Sequence, residues 1–238
     1  MNYAAFARRD DIYTGGTNVM KRKLRFDAIM FDMDNTLLRS AIDFPRIKHD
    51  VFVMLTNTGL LPAEFPVREH TIATLIETAR RTDGMSAELE AAVWDIVVRG
   101  EREGMAGAGL EPYVPETLER LHGTMPLTVL TNNAQDAALD ALERTGIIRY
   151  FDHVACREQM EALKPSPSGA RLLLARYPAI PAASWLSVGD SWIDGKAAGE
   201  AGVPFLAYRA DPGELERRGV APIGHIRSMR ELFGYLEA

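Results

Sequence analysis

Short, mostly apolar runs bounded by turn-forming residues recur along this chain, and they constrain its fold more than any other feature. Runs of this length with few charged residues are typical of strands that are buried on both faces of a parallel sheet. They cover residues 26–31, 127–130, 153–155, 185–188 and 204–208. The sequence therefore predicts five strands of a mainly parallel sheet.

Helical patterns separate most of these runs. They cover residues 136–144, 168–177, 192–201 and 228–236. Strands that alternate with helices form right-handed βαβ units, and the helices cover both faces of the sheet. The predicted fold class is therefore α/β, with a Rossmann-like parallel sheet as its core.

One long stretch between the first two predicted strands breaks this alternation. It contains no strand pattern but three amphipathic helical patterns, over residues 44–58, 68–81 and 86–103. A helical insertion of this size predicts a separate α-helical cap domain. The cap is assigned to residues 39–111, and the α/β core to residues 25–38 and 112–238.

The first 24 residues are polar and aperiodic, and they predict a loose N-terminal leader. Met20 is an alternative to Met1 as the native start, because the patterned sequence begins just after it.

Charge and composition exclude several classes of partner. A net charge of -6 and a pI of about 5.5 do not suit a protein that binds a phosphate backbone, so no nucleic-acid partner is expected. No apolar run approaches the roughly 20 residues that span a bilayer, and the N-terminus has no signal-peptide pattern. The single cysteine, Cys156, allows no internal disulfide and favours a reducing compartment. We expect a cytoplasmic protein without a membrane partner; the oligomeric state has no signal in the sequence.

Polar residues follow three of the predicted strands, and a lysine precedes a predicted helix. In open parallel sheets, ligands bind beyond the carboxyl ends of the strands, where these residues must meet. They are Asp32, Asp34, Thr131, Asn132, Lys164, Asp190 and Asp194. The sequence therefore predicts that four acids, a hydroxyl and a lysine converge at this edge.

These residue types together suit phosphoryl chemistry. Clustered carboxylates repel one another unless a cation lies among them, and an all-oxygen site suits Mg²⁺. A carboxylate such as Asp32 can also attack phosphorus, and Asp34 could act as general acid and then as base. Each acid alone could be only a helix cap or a turn residue. The functional interpretation is favoured because all of these residues are expected to lie at one edge of the sheet.

Four motifs in this chain resemble those of the haloacid dehalogenase superfamily, particularly its phosphoglycolate phosphatase-like members with a type-one helical cap. Asp32-Met33-Asp34-Asn35-Thr36 resembles the DxDxT signature, and Thr131 ends an apolar run as in the second motif. Lys164-Pro165 resembles the third motif, and Gly189-Asp190 with Asp194 resembles GDxxxD. One departure is Asn35, where many members have glycine. Asn tolerates unusual backbone angles, so activity is still expected.

The resemblance implies a role for each matched residue. Asp32 would be the nucleophile and Asp34 the general acid/base. Thr131 and Lys164 would bind the phosphoryl group, with Asn132 adding a contact. Mg²⁺ would be held by Asp32, the backbone carbonyl of Asp34 and Asp190, with Asp194 in support. The implied function is hydrolysis of a small phosphorylated metabolite.

Other activities of the same family remain as alternatives. Dehalogenation and phosphonate cleavage are disfavoured by the acid at Asp34, and dehalogenation also by Asp190. A phosphosugar mutase shares the Asp32–Asp34 pair and stays open. A catalytically silent protein that binds a phosphorylated metabolite also stays open, although the intact motifs argue against it.

Overall fold

A computed structural model describes residues 24–237. The predicted leader and the alternative start at Met20 therefore lie outside the described residues, with Leu24 as the exception. Leu24 forms an isolated antiparallel bridge to Glu237, so it belongs with the core rather than with a loose leader.

The core is a parallel sheet of six strands: β1 (Ala28–Phe31), β4 (Leu127–Leu130), β5 (His153–Ala155), β6 (Trp185–Gly189), β7 (Phe205–Tyr208) and β8 (Gly224–Ile226). Their order in the sheet is β5-β4-β1-β6-β7-β8. In β1, Ile29 and Phe31 pack into one hydrophobic cluster, and Ala28 and Met30 into another on the opposite face. Burial of both faces explains why this strand is apolar throughout.

Helices cover both faces of the sheet. They are α4 (Val114–Leu121), α5 (Gln135–Arg144), α6 (Ser168–Arg176), α7 (Trp192–Glu200), α8 (Pro212–Arg217) and α9 (Phe233–Leu236). All five predicted strands and the helices predicted for the core are present within one or two residues, except that the last helix begins as a 3-10 turn over Met229–Leu232.

Three α-helices lie within residues 39–111, and we call them the cap helices. They are α1 (Phe44–Asn57), α2 (Ile72–Arg80) and α3 (Ala87–Met105). Ile47, Val51, Leu75, Ile76 and Val93 are fully or almost fully buried in a hydrophobic cluster of their own. The division of the chain into core and cap at the boundaries assigned above stays a prediction.

The predicted helix over 68–81 was wrong at its start. Residues Val67–Glu69 form a separate 3-10 turn, and α2 begins only after Thr71. The hydroxyl of Thr71 accepts a hydrogen bond from the Thr74 amide, while the Thr74 hydroxyl accepts one from the Thr71 amide. This reciprocal cap satisfies two amides at the N-terminus of α2 and fixes where the helix begins.

A short two-stranded ribbon joins the cap helices to the core. It consists of β2 (Leu38–Arg39) and β3 (Gly109–Leu110), which pair antiparallel with Leu38 opposite Leu110. The two chain crossings between core and cap therefore lie side by side. Among residues 24–237, no helix combines the length and the apolarity needed to cross a bilayer.

Candidate active site

The site lies at the carboxyl edge of the three central strands. Asp32 follows β1, Thr131 follows β4 and Asp190 follows β6. The two outer strands of this trio both pair with β1, so the residues after them meet around Asp32. The backbone amide of Asp32 donates to the Val188 carbonyl at 2.8 Å, which extends the ladder up to the predicted nucleophile.

A tight turn after β1 brings Asp34 back beside Asp32. Asn35 has a positive φ of 54°, a conformation that Asn adopts more readily than most residues. Its amide donates to the Leu38 carbonyl, and the Leu37 and Leu38 amides donate to the Met33 carbonyl. The departure from glycine at position 35 is therefore compatible with the local backbone.

Lys164 lies at the centre of the site and is almost fully buried. Its ammonium group donates to Asp32 Oδ1 at 2.6 Å, to Asp194 Oδ1 at 2.7 Å and to the Leu130 carbonyl at 2.9 Å. These bonds use all three donors of the ammonium group. Burial alone would lower the pKa of Lys164, but the charges of Asp194 and Asp32 outweigh burial and raise it, so the ammonium group stays charged.

The acids form a cluster that carries more negative charge than the neighbouring lysine can balance. Carboxylate oxygens of Asp32, Asp190 and Asp194 lie within 4.8 Å of one another. Burial, followed by the charge of Asp32, raises the pKa of Asp190. Burial also raises the pKa of Asp194, although Lys164 partly offsets the effect. A single lysine therefore does not balance these carboxylates.

The donor set fits Mg²⁺. All its members are oxygens, and a small divalent cation bound by few carboxylates is the usual arrangement for this ion beside a phosphate. It would also supply the positive charge that the raised pKa values of Asp190 and Asp194 show to be lacking.

Asp34 has a hydrogen-bond partner of its own. The amide nitrogen of Asn133 donates to Asp34 Oδ2 at 2.5 Å, and both residues are buried. Burial, and then the charge of Asp32, raises the pKa of Asp34 to about 7. A carboxyl group that titrates near neutral pH can both give and take a proton there. Sequence reasoning missed Asn133, and its position next to Asn132 in the turn after β4 is the only signal that could have found it.

Asn132 engages the backbone of Lys164 with both ends of its amide. Its Oδ1 accepts from the Lys164 amide at 2.9 Å, and its Nδ2 donates to the Lys164 carbonyl at 3.0 Å. This pair of bonds fixes the loop that presents the lysine side chain. The predicted phosphate contact of Asn132 stays a prediction, and the geometry makes the residue a support for Lys164. Thr131 is buried at the same turn, where its hydroxyl accepts from the Asn133 amide at 3.2 Å.

The first turn of α7, which follows β6, brings Asp194 close to the sheet. Asp194 Oδ2 accepts from the Ser191 amide at 3.1 Å, while its Oδ1 accepts from Lys164. A Cβ at Gly189 would lie 2.6 Å from the Asp194 carboxylate, so glycine is required for this close approach. Asp194 thus satisfies the Ser191 amide at the N-terminus of α7 and contacts the central lysine at the same time.

A cavity of about 500 Å³ opens over these residues and reaches the cap helices. Its cap side includes Lys48 and Trp94, and its core side includes Arg157 and Arg218. The sequence analysis selected none of these four residues, because cations and aromatics are common at surfaces and in cores. Only the folded chain shows that they face the same cavity as Asp32.

A buried ion pair joins the cap helices to the core at the wall of this cavity. Arg157 donates through both terminal nitrogens to the carboxylate of Glu101, at 3.1 and 2.5 Å. Glu101 also accepts from the Ala134 amide next to α5, and the Arg157 guanidinium lies 4.7 Å from the Trp94 ring centroid. Burial raises the pKa of Glu101, and the charge of Arg157 opposes this shift.

The fold and the site together define a class of hydrolase that places a carboxylate at the end of the central strand. The family model described as haloacid dehalogenase-like hydrolase matches residues 29–208. A protein named phosphoglycolate phosphatase from Rhodobacter capsulatus is 32% identical over 193 residues, which cover 76% of this chain and 83% of that protein. The chain belongs to the haloacid dehalogenase-like hydrolase family, and it is an enzyme of that family. The resemblance seen in the sequence is thereby confirmed.

Two further comparisons define the fold and the range of relatives. The crystal structure of a predicted phosphoglycolate phosphatase from Haemophilus somnus 129pt superimposes with a TM-score of 0.62 at 20% identity, covering 88% of this chain and 97% of that one. It confirms the α/β fold. A protein from Pseudomonas putida named N-acetylmuramic acid 6-phosphate phosphatase is 26% identical over 78% of this chain and 84% of its own length. Similar chains therefore bear the names of enzymes with different phosphorylated substrates.

Proposed function

We propose that this protein is a magnesium-dependent phosphatase that hydrolyses a small-molecule phosphate monoester through an aspartyl-phosphate on Asp32. One observation carries the proposal: Asp32, Lys164, Asp194 and Asp190 converge at the end of the central strand, with the Asp34 carboxyl beside them. The names of the related phosphatases support a small phosphorylated metabolite as the substrate.

In the first step, an oxygen of Asp32 attacks phosphorus and the bond from phosphorus to the leaving oxygen breaks. Lys164 already donates to Asp32 Oδ1, so it orients the carboxylate, and exchange of one of its three hydrogen bonds lets it donate to a phosphoryl oxygen. Asp34 gives its proton to the leaving oxygen, for which a pKa of about 7 suits it. Asn133 holds Oδ2 of that carboxyl, so the proton is directed through the other oxygen.

In the second step, a water molecule attacks the phosphorus of the aspartyl-phosphate and Asp34 takes the proton of that water. The bond between phosphorus and the Asp32 oxygen breaks, which releases phosphate and restores both carboxyls. Asp32, Asp190 and the backbone carbonyl of Asp34 would hold Mg²⁺, with Asp194 in support. When bound, the ion supplies positive charge to the phosphoryl oxygens.

The test is phosphate release from p-nitrophenyl phosphate and from a panel of metabolite phosphates, each with Mg²⁺ and with EDTA. We expect turnover that requires the metal. Absence of turnover on every substrate in the presence of Mg²⁺ would overturn the proposal. Conversion of a sugar 1-phosphate to its 6-phosphate without phosphate release would identify a mutase instead.

A further inference from the structure

Two cations of the cavity wall face each other across the boundary between core and cap helices. Lys48 belongs to α1, and Arg218 directly follows α8 of the core. Both line the cavity that also exposes Asp32 and Asp190. Burial, and then the charge of Arg218, lowers the pKa of Lys48, so the two groups are close enough to repel.

The charge of Lys48 has no carboxylate partner among residues 24–237. Its ammonium group donates to the His70 carbonyl at 3.0 Å, and no acidic oxygen lies within ion-pair distance there. Arg46, Arg80 and Arg81 pair with the carboxylates of Glu103, Glu90 and Glu77, whereas Arg99 is exposed and donates only to the Asp95 carbonyl among the described residues. Lys48 differs from them because it is half-buried and faces the cavity.

Arg218 is fixed in place before any ligand arrives. Its guanidinium lies 4.5 Å from the Trp192 ring centroid, its Nε donates to Glu214 Oε1 at 2.9 Å, and its Nη1 donates to the Glu69 carbonyl at 3.4 Å. In the described part of the chain, Nη2 makes no hydrogen bond. Glu214 is shared with Arg217, so it does not neutralise both arginines.

Two neighbouring cations that are partly removed from water destabilise each other unless an anion lies between them. The phosphate that is cleaved must lie at Asp32, where Lys164 already supplies a cation. The anion between Lys48 and Arg218 must then be another group of the same ligand.

We propose that Lys48 and Arg218 form a second anion subsite, so that the preferred substrate bears a carboxylate or a second phosphate besides the phosphate that is cleaved. This inference rests on the proposed phosphatase function. One of the two cations belongs to a cap helix and the other to the core. A substrate with two anionic groups therefore joins the two parts, whereas a substrate with only the cleaved phosphate does not.

The experiment compares kcat/KM for two matched substrate pairs. The first pair is phosphoglycolate and 2-hydroxyethyl phosphate, which differ by one carboxylate. The second is fructose 1,6-bisphosphate and fructose 1-phosphate, which differ by one phosphate. We expect the wild type to prefer the more anionic member of at least one pair by about tenfold or more, the usual effect of a charge-assisted contact. The pair that responds identifies the second group as carboxylate or phosphate.

Substitutions test whether Lys48 and Arg218 cause this preference. Lys48→Met and Arg218→Gln should each reduce the ratio between the two members of the responding pair by about tenfold. Lys48→Arg keeps the charge and should keep most of the ratio. Lys196→Met removes the same charge from an exposed position on α7 outside the cavity, so it should keep the ratio as well. Thermal unfolding of each variant shows that it is folded.

The outcomes separate the two proposals. Turnover of p-nitrophenyl phosphate with equal kcat/KM for both members of each pair would overturn the second subsite and leave the phosphatase standing. A preference that survives in both Lys48→Met and Arg218→Gln would also overturn it. No turnover of any substrate would overturn the phosphatase and the subsite together.

Discussion

At the scale of single residues, the site depends on one lysine shared by two carboxylates. Lys164 contacts Asp32 and Asp194 within 2.7 Å, and its backbone is fixed by Asn132. The ammonium group therefore holds the predicted nucleophile in one orientation before substrate binds. Such preorganisation lowers the cost of reaching the transition state, because the charges need not be rearranged during the reaction.

The nucleophile can be tested with an isosteric change. Asp32→Asn retains the shape of the side chain but removes the attacking oxygen charge, so we expect phosphatase activity to fall by about 10³-fold or more. The measurement is kcat for p-nitrophenyl phosphate at saturating Mg²⁺. Asp27→Asn is the matched control: this carboxylate is exposed just before β1, and its loss should change kcat less than about twofold. Substantial activity in Asp32→Asn would rule out the aspartyl-phosphate route.

The site residues that could be predicted lie next to a local sequence pattern, whereas those that were missed do not. Asp32, Thr131 and Asp190 could be predicted because each follows an apolar run, and the topology of a parallel sheet then brings them together. Lys48 and Arg218 could not, since they come to line one cavity only through the tertiary arrangement of α1 and the residues after α8. That packing has no local pattern in the sequence.

At the scale of elements, close approach between α3 and the chain that enters the cap is set by a glycine. A Cβ at Gly104 would lie 2.4 Å from the Cα of Ile42, which is backbone and cannot rotate away. The Gly104 carbonyl also accepts from the Ala41 amide at 3.0 Å. The last turn of α3 is thus in direct backbone contact with residues 41 and 42, next to the β2–β3 ribbon.

We therefore expect Gly104→Ala to destabilise the protein by about 1–3 kcal/mol, the usual effect of overpacking. Gly199→Ala is the matched control, because it is also a helical glycine but has open space around it. There the exchange should be neutral or stabilise by about 0.5–1 kcal/mol, through helix propensity. Urea unfolding of the two variants measures the difference. Equal stability of both would show that α3 can move away from residue 42 at little cost.

The elements that escaped sequence prediction have physical explanations. The edge strand β8 is three residues long and includes an exposed histidine, His225, so it forms no apolar run. Helices α4 and α8 span only 8 and 6 residues and begin with proline in their first turn. Proline suits the first turn of a helix but resembles a loop signal in a sequence. The longer elements were predicted because their periodicity extends over several turns.

At the scale of the whole molecule, the buried acids make folding stability depend on pH and on metal. Burial and Asp32 raise the pKa of Asp34 from 3.8 to about 7, and the pKa values of Asp190 and Asp194 are raised too. A carboxyl with a raised pKa in the folded state contributes stability that is fully present below its unfolded pKa. That contribution is lost as the pH rises through the folded pKa.

We therefore expect the metal-free protein to lose thermal stability as the pH rises from 3.8 to about 7. Because Mg²⁺ replaces the lost protons, the increase in Tm on adding Mg²⁺ should be larger at about pH 8 than at about pH 5. Thermal unfolding with excess Mg²⁺ and with EDTA measures this increase. Asp190→Asn should remove most of it, whereas Asp27→Asn should not. An equal increase at both pH values would contradict the placement of the metal among these carboxyls.

The pairing of β2 with β3 has a consequence for how such a protein can acquire new specificities. Because Leu38 lies opposite Leu110 and Arg39 opposite Gly109, everything between these strands leaves and rejoins the core at one point. None of the intervening segment contributes a strand to the six-stranded sheet. Recombination at this junction could exchange one set of helices for another while the sheet and its acids stay intact. The ribbon thus allows the cap helices to change without a change in the sheet that positions the acids.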